Sequence, residues 1–312
     1  MKPEILLVEP MLDVIEARLD ENYAVHRSYD PAAQATLDAA LPAIRAVVTG
    51  GGTGLSNDQI DSLPALGIVA INGVGTDKVD LVRARARGID VTTTPGVLTD
   101  DVADIGMALM LALLRHVAEG DRFVREGRWA KGDAFPLGTS PKGKRIGILG
   151  LGQIGQALGR RAEAFGMSVG YWNRSPRGDT GWTAYSTPTE LAAASDVLAI
   201  CIAANGSTRG MVNAEVLEAL GPKGTVVNVA RGSVVDEDAL LQALTSGTIA
   251  GAGLDVFDAE PRIREDFLSA PNTVLMPHQG SATRETRIAM GDVVLANLQA
   301  FFRGEKPPIT VN

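Results

Sequence analysis

Short apolar runs alternate with longer stretches of helical periodicity along the whole chain. Ile5–Val8, Ala46–Thr49, Ile68–Ile71 and Asp90–Thr92 make a first series of runs. Arg145–Leu149, Ser168–Trp172, Val197–Ile202, Thr225–Val229, Ala252–Val256 and Val274–Met276 make a second. A strand that is apolar at every position has no face to give to water, so these runs predict parallel sheets covered by helices on both sides. The fold class is α/β, with two doubly wound parallel sheets. Between the series, Thr99–Phe123 predicts one long apolar helix, with Thr99 as N-cap and Asp100 and Asp101 in its first turn. Gly127–Gly143, rich in Gly and Pro and carrying Trp129 and Phe135, predicts an excursion over the surface. Glu285–Phe302 predicts another long helix leading to a Pro-rich tail. The pattern suggests one domain inserted into another: residues 1–98 and 286–312 form the outer one, 99–285 the inserted one, with two crossing helices as hinges.

A length of 312 residues suits two such domains. Composition narrows the partners. A net charge of -8 with no run of Lys and Arg disfavours nucleic acid or an anionic membrane, both of which need a basic stripe. The apolar run Ile105–Leu114 is about half the length of a membrane span. The run after Met1 is too short for a signal peptide, and no small-residue cleavage site follows it. Cys201, the only cysteine, lies in an apolar run, which excludes a disulfide framework and predicts a core thiol. A reducing cytoplasm is expected, and no metal site is.

The strongest chemical signal follows Arg145–Leu149. Gly150, Leu151, Gly152, Gln153, Ile154 and Gly155 come next, and a helical pattern begins at once. In such a turn the first glycine makes the bend, the second lets a pyrophosphate approach the backbone, and the third lets helix pack on strand. The helix N-terminus then offers free N–H groups to the phosphates. Placed between strand and helix, the motif predicts dinucleotide binding. The next strand ends in Asn173, Arg174 and Ser175, where NAD-binding folds usually carry an acid about twenty residues on. An acid would repel a 2′-phosphate by about 4 kcal/mol at about 4 Å and an effective dielectric near 20. Its replacement by an amide, a cation and a hydroxyl predicts a preference for NADP(H), with NAD(H) still possible.

Three further residues follow strands of the second series, at the sheet edge where α/β ligands bind. They are Arg231 before Gly232, Glu260 before Pro261, and His278 after Pro277. Beside a nicotinamide site they supply a clamp, an orienter and an acid. The segments Asn72–Asp80, Thr94–Asp104, Gly147–Gly155, Asn228–Leu240, Gly251–Pro261 and Pro277–Thr286 resemble the D-2-hydroxyacid dehydrogenase family, in its glyoxylate/hydroxypyruvate reductase branch. They cover most of the chain in the family's order.

The resemblance implies a flavodoxin-like substrate domain with an inserted Rossmann domain, and a homodimer joined through the helix after Thr99 and the loop to Phe135. It implies reduction of a small 2-oxo acid, glyoxylate or hydroxypyruvate, to the D-2-hydroxy acid. Protonated His278 would give a proton to the 2-oxo oxygen, and Glu260 would hold its imidazole. Arg231 would bind carboxylate and carbonyl oxygens, and the backbone amides of Val74 and Gly75 would complete the carboxylate site. Asp255 would face the nicotinamide amide, and Thr208 and Thr99 would contact the cofactor. Ala203 and Asn205 depart from the Pro and Thr that many relatives carry before Thr208, which unsettles the contacts there. Gly52, in the loop Gly50–Gly54, is expected to line the substrate pocket; the loop lacks the Lys of a phosphate-binding P-loop.

Four other readings compete. A phosphoglycerate dehydrogenase would favour NAD and often extend past Asn312. A formate dehydrogenase would carry Gln where Glu260 stands. An aromatic 2-oxo acid reductase shares almost all of these motifs. A nicotinamide-sensing binding protein would keep a similar trio and add long disordered extensions.

Overall fold

The computed structural model describes Lys2–Asn312 apart from Pro176 and Asp179. The chain divides into two compact units, one made of Met1–Leu98 with Ala282–Asn312 and the other of Thr99–Ser281. The second boundary lies ahead of the 285/286 break expected from the sequence. Thr283 caps the last helix by accepting the Thr286 amide at 3.2 Å, so that helix stays whole within the outer unit.

The outer unit holds a five-stranded parallel sheet in the order β2-β1-β3-β4-β5. Its strands are β1 (Glu4–Leu7), β2 (Ala24–Arg27), β3 (Ala46–Gly50), β4 (Ile68–Asn72) and β5 (Asp90–Thr92). This is the flavodoxin-like order. Its helices are α1 (Asp13–Asn22), α2 (Gln34–Ala40), α3 (Asn57–Asp61), α4 (Leu81–Ala86) and, near the C-terminus, α12 (Arg284–Phe302). Alternation within each strand explains its apolar continuity. Ile5, Leu7, Ala46, Val48, Ile68 and Ala70 face a core shared with Ile15, Leu19, Val294 and Leu298 of α1 and α12. Leu6, Val47, Val69, Ile71 and Val91 face the opposite core, with Leu37, Ile60 and Ala84. Each face removes apolar surface from water at about 25 cal/mol per Å², so neither can be traded for polar residues.

The inserted unit holds a seven-stranded parallel sheet in the order β12-β11-β10-β9-β6-β7-β8. Its strands are β6 (Arg145–Leu149), β7 (Ser168–Trp172), β8 (Thr183–Ala184), β9 (Val197–Ile200), β10 (Thr225–Asn228), β11 (Gly251–Leu254) and β12 (Thr273–Leu275). Read outward from β6, this is the Rossmann order with one added strand. The helices are α5 (Thr99–Leu114), α6 (Val117–Arg125), α7 (Gln153–Ala164), α8 (Pro188–Ala193), α9 (Ala214–Leu220), α10 (Glu237–Ser246) and α11 (Asp266–Ser269). Gly253 of β11 makes room for α5: a Cβ there would lie 3.0 Å from Leu109 Cβ.

The expected helix Thr99–Phe123 is two helices. His116, at φ 52°, breaks the run between α5 and α6. Thr99 is the first residue of α5 rather than its cap, and its hydroxyl lies 3.5 Å from Gln153 Oε1. β2 and β8 are additions to the strands read from sequence. Among the described residues no helix is long and apolar enough to cross a membrane, and no His, Cys, Asp and Glu cluster could hold a metal ion. Cys201, expected in the core, lies just past the end of β9 and is half-buried; desolvation of its thiol pushes it up to about 12.

Candidate active site

Strand order fixes the line-up of the inserted unit's functional residues. Along the carboxyl edge of its sheet, β12, β11, β10, β9, β6 and β7 are followed by the loops of His278, Glu260, Arg231, Thr208, Gly150 and Asn173. Residues distant in sequence thus share one edge, where open α/β sheets bind ligands.

The glycine turn after β6 is shaped by close approach. Gly150 sits at φ 100°, and a Cβ there would lie 2.5 Å from Ile202 Cα. A Cβ at Gly155 would overlap the Gly150 carbonyl oxygen. Leu151 is buried and anchors the turn. Gly152 differs: nothing lies within 4 Å of where its Cβ would be. It is the N-cap of α7 and gives that helix no side-chain hydrogen bond, so the amides that begin it, at Gln153, Ile154 and Gly155, remain available to a ligand. Bare backbone, open space and the positive end of a helix fit a pyrophosphate. At the end of β7, Asn173 Nδ2 donates to the Ser175 carbonyl at 2.8 Å, while Arg174 and Ser175 are exposed. The amide shapes the turn and the cation faces outward.

Thr208 stands after β9 as expected, but its hydroxyl serves its own turn. It donates to the Ala203 carbonyl at 3.0 Å and accepts the Asn205 amide at 2.9 Å, and the residue is buried.

Arg231, Glu260 and His278, the trio expected from the sequence, are brought together on adjacent strand ends. His278 Nδ1 lies 2.7 Å from Glu260 Oε2, and Glu260 Oε1 accepts the Phe257 amide at 2.8 Å. Both oxygens of the carboxylate are therefore engaged, and Nε2 is the nitrogen left to meet a substrate. Burial by itself would raise the Glu260 carboxyl. The hydrogen bond from His278, the Phe257 amide and the charges of His278 and Arg231 outweigh it and hold the group below its ordinary value. Arg231 precedes Gly232, where a Cβ would overlap the backbone of Phe257 and Asp258. Only glycine lets the β10 and β11 loops touch there. Asn228, buried at the end of β10, donates to the Arg231 carbonyl at 2.9 Å and accepts the Ala230 amide at 3.0 Å. It pins the Arg231 turn and is absent from the sequence expectation. The signal for it was a lone polar residue among Val226, Val227 and Val229.

Asp255 does something the sequence did not suggest. Its Oδ1 accepts the Gln279 amide at 2.6 Å, its Oδ2 accepts the Gly280 amide at 2.8 Å, and its carbonyl accepts the His278 amide at 2.9 Å. His278 has φ 54°, a left-handed conformation that histidine enters at a cost. Three hydrogen bonds from one residue hold the loop there. Burial, with a contribution from Glu260, pushes the Asp255 carboxyl up against those amides and the charge of His278.

In the outer unit, Val74 is exposed and Gly75 half-buried on the turn after β4. Gly52 is exposed, with nothing within 4 Å of where its Cβ would be. No contact of Gly52 marks it as the residue that shapes this loop. Gly50 and Gly54 do that: a Cβ at Gly50 would overlap the Glu9 carboxylate, and one at Gly54 (φ 68°) would overlap Lys78.

A family model described as "D-isomer specific 2-hydroxyacid dehydrogenase, NAD binding domain" matches residues 107–280. The chain is 45% identical to hydroxyphenylpyruvate reductase of Plectranthus scutellarioides, over 98% of this chain and 97% of that one. It is 46% identical to 2-ketogluconate reductase of Gluconobacter oxydans, over 96% of each. Among solved structures, it is similar to an NADPH-dependent glyoxylate/hydroxypyruvate reductase of Sinorhizobium meliloti in complex with NADP and malonate. The TM-score is 0.94 at 44% identity, covering 100% of this chain and 97% of that one. With the Rossmann order, the glycine cradle and the His278–Glu260 pair already in view, the agreement is one of sequence, fold and chemistry, and the chain belongs to the D-isomer specific 2-hydroxyacid dehydrogenases, which are NAD(P)-dependent enzymes.

Proposed function

We propose that the protein is an NADPH-preferring reductase of small 2-oxo acids, converting glyoxylate and hydroxypyruvate to glycolate and D-glycerate. The observation that carries this reading is the 2.7 Å contact between His278 Nδ1 and Glu260 Oε2 beside Arg231. A carboxylate on one ring nitrogen fixes the tautomer and steadies the imidazolium, so Nε2 can donate a proton to the oxygen that becomes the hydroxyl. Arg231 suits the acid's carboxylate and carbonyl oxygens, which its planar fork can take together. In the outer unit, the exposed turn of Val74 and Gly75 offers backbone amides suited to a carboxylate. Asp255 keeps His278 in place and can turn its remaining acceptor capacity to the cofactor's amide. Gly150–Gly155, with Thr208 and Thr99 nearby in the same unit, would hold the dinucleotide. The reduced nicotinamide, when bound, supplies the hydride.

The preference for NADPH rests on Asn173, Arg174 and Ser175 at the end of β7, where a cation and two neutral groups replace an acid. The Sinorhizobium relative, an NADPH-dependent reductase, agrees with it. The similarity to a hydroxyphenylpyruvate reductase supports a second reading, in which aromatic 2-oxo acids are preferred. A cytoplasmic setting fits the single, protonated Cys201. A homodimer fits the exposed apolar side chains of α6 and the segment after it, Val117 and Val124 with Trp129 and Leu137, the last 96% exposed. Light scattering that gives a monomer at micromolar concentration would remove the dimer.

The deciding experiment follows cofactor oxidation with NADPH and NADH in parallel against glyoxylate, hydroxypyruvate, phenylpyruvate and 4-hydroxyphenylpyruvate. Faster turnover of the small acids with NADPH is expected. Faster turnover of the aromatic acids would move the protein to the second reading. His278→Ala is expected to lower kcat by about 10²–10⁴-fold while NADPH binding persists; loss of cofactor binding instead would show that His278 has been misplaced.

A further inference from the structure

Glu9 is an acid outside the catalytic trio, and it stands where parallel sheets take ligands. In the order β2-β1-β3-β4-β5 the winding reverses between β1 and β3. At such a switch point a crevice opens at the carboxyl ends of the strands. Glu9 follows β1 and Gly50 ends β3, so the two flank that crevice. The missing side chain at Gly50 is what admits the carboxylate, because a Cβ there would overlap it. The Thr53 hydroxyl donates to Glu9 Oε2 and sets its orientation. Thr53 is the only side-chain partner of Glu9 among the described residues, and Glu9 is half-buried.

From this acid a strip of bare backbone runs toward the turn after β4. A Cβ at Gly73 would lie 3.3 Å from the Gly51 amide nitrogen, so the β3 and β4 loops touch through glycines. Val74 and Gly75 come next. One end of the strip is a carboxylate and the other a turn with amide donors. The Glu9 carboxylate lies where a Gly50 Cβ would be, at the end of β3, and β3 is the neighbour of β4, so about one strand spacing, roughly 5 Å, separates the strand ends that carry the two. A 2-oxo acid whose carboxylate met the turn after β4 would carry its tail over that strip toward Glu9.

We propose that Glu9 is a specificity-determining residue whose carboxylate accepts the hydroxyl groups of the substrate tail. The ligand class is then hydroxylated 2-oxo acids, from hydroxypyruvate to 2-oxo sugar acids such as 2-oxogluconate. This rests on the reading of the chain as a 2-oxo acid reductase with the substrate carboxylate at Val74 and Gly75. A hydroxyl replaces the water that Glu9 gives up on binding. An aromatic ring strips that water and returns nothing. A second carboxylate on the substrate meets a like charge. A site that hydrogen-bonds a substrate hydroxyl discriminates more sharply than an apolar pocket of the same size.

The test compares kcat/KM for glyoxylate, hydroxypyruvate, 2-oxogluconate, phenylpyruvate and 2-oxoglutarate in the parent enzyme and in Glu9→Leu, Glu9→Gln and Gly50→Ala. Glyoxylate has no tail and is the reference for every ratio. Glu9→Leu should lower the 2-oxogluconate-to-glyoxylate ratio by about 10- to 100-fold and raise the phenylpyruvate ratio. Gly50→Ala, which pushes the carboxylate aside, should move both ratios the same way. Glu9→Gln should keep most of the preference for hydroxylated tails and gain turnover of 2-oxoglutarate. Ratios unchanged in both Glu9→Leu and Gly50→Ala would overturn the assignment of Glu9 while leaving the reductase reading intact. A parent enzyme that reduces none of the acids, glyoxylate included, would overturn the reductase reading and this proposal with it.

Discussion

Each unit carries a glycine-rich turn at the end of a buried parallel strand, Gly150–Gly155 after β6 and Gly50–Gly54 after β3, and the two use glycine differently. After β6 the glycines answer to backbone: Gly150 lies against Ile202, Gly155 against Gly150. The helix that follows, α7, is left without a side-chain cap. After β3 the decisive glycine answers to a side chain, the carboxylate of Glu9. The short helix that follows, α3, has a full capping box, with Ser56 accepting the Gln59 amide and Gln59 returning to the Ser56 amide. Two amides at that end, those of Ser56 and Gln59, are thereby satisfied locally. The same residue type thus bares a helix N-terminus in one place and makes room for an acid in the other. The state of the next helix's N-terminus tells them apart.

The sharpest way to break this contrast is a matched pair of substitutions. Gly150→Ala forces a Cβ into backbone at φ 100° and is expected to destabilise the protein by about 3 kcal/mol and weaken NADPH at least about 100-fold, read by thermal melting and fluorescence titration. Gly50→Ala should cost far less stability, because the group displaced is the flexible end of Glu9, and should leave the NADPH titration where it was. Equal losses in the two variants would mean that the turns are not different in kind. Next in size, Asn173→Asp combined with Arg174→Ala should move the NADPH-to-NADH preference at least about 10-fold toward NADH. An unchanged ratio would show that the 2′-phosphate is recognised elsewhere. Ser56→Ala removes the cap of α3 and should cost about 1 kcal/mol in denaturant unfolding with no change in cofactor titration.

The smallest expected effect is a change in acid sensitivity. Glu260 is held below its ordinary value in the folded protein, so it adds stability that is fully present above about pH 4.3 and is lost as pH falls through the lower folded value. Asp255 is raised and works the other way: at neutral pH its charged form costs stability, and that cost is relieved as pH falls through its raised value. Glu260→Gln should therefore flatten the fall in melting temperature between about pH 5 and pH 3. A slope as steep as the parent's would assign acid sensitivity to other carboxylates.

Much of the architecture was legible because both sheets are covered on both faces. Runs such as Ile68–Ile71 are apolar throughout, and strand edges moved by only a residue or two. β2 was not legible: Ala24, Val25, His26 and Arg27 are each only half-buried at the sheet's edge, with His26 paired to Glu4 at 2.6 Å. The break at His116 was hidden because the run from Ala103 to Val124 contains no proline, and a left-handed histidine leaves no periodic trace. At the site, the sequence placed Arg231, Glu260 and His278 at strand ends. Gly52 was singled out from its place in a glycine loop, but that composition carries no sign that Gly50 beside it makes room for the Glu9 side chain. Asn228 and Glu9 escaped because a polar residue at a strand end reads as solvated until its partner, on another segment, is known.

His278 has a consequence for anyone wishing to transplant this chemistry. The arginine, glutamate and histidine are not a portable set. The histidine points correctly only on a backbone that Asp255 holds through three hydrogen bonds, and the arginine only on a turn that Asn228 ties and Gly232 lets lie against its neighbour. A designer who copies three side chains onto a new scaffold would inherit the reagents without the bench. The smallest unit that can be moved is six residues on three adjacent strand ends.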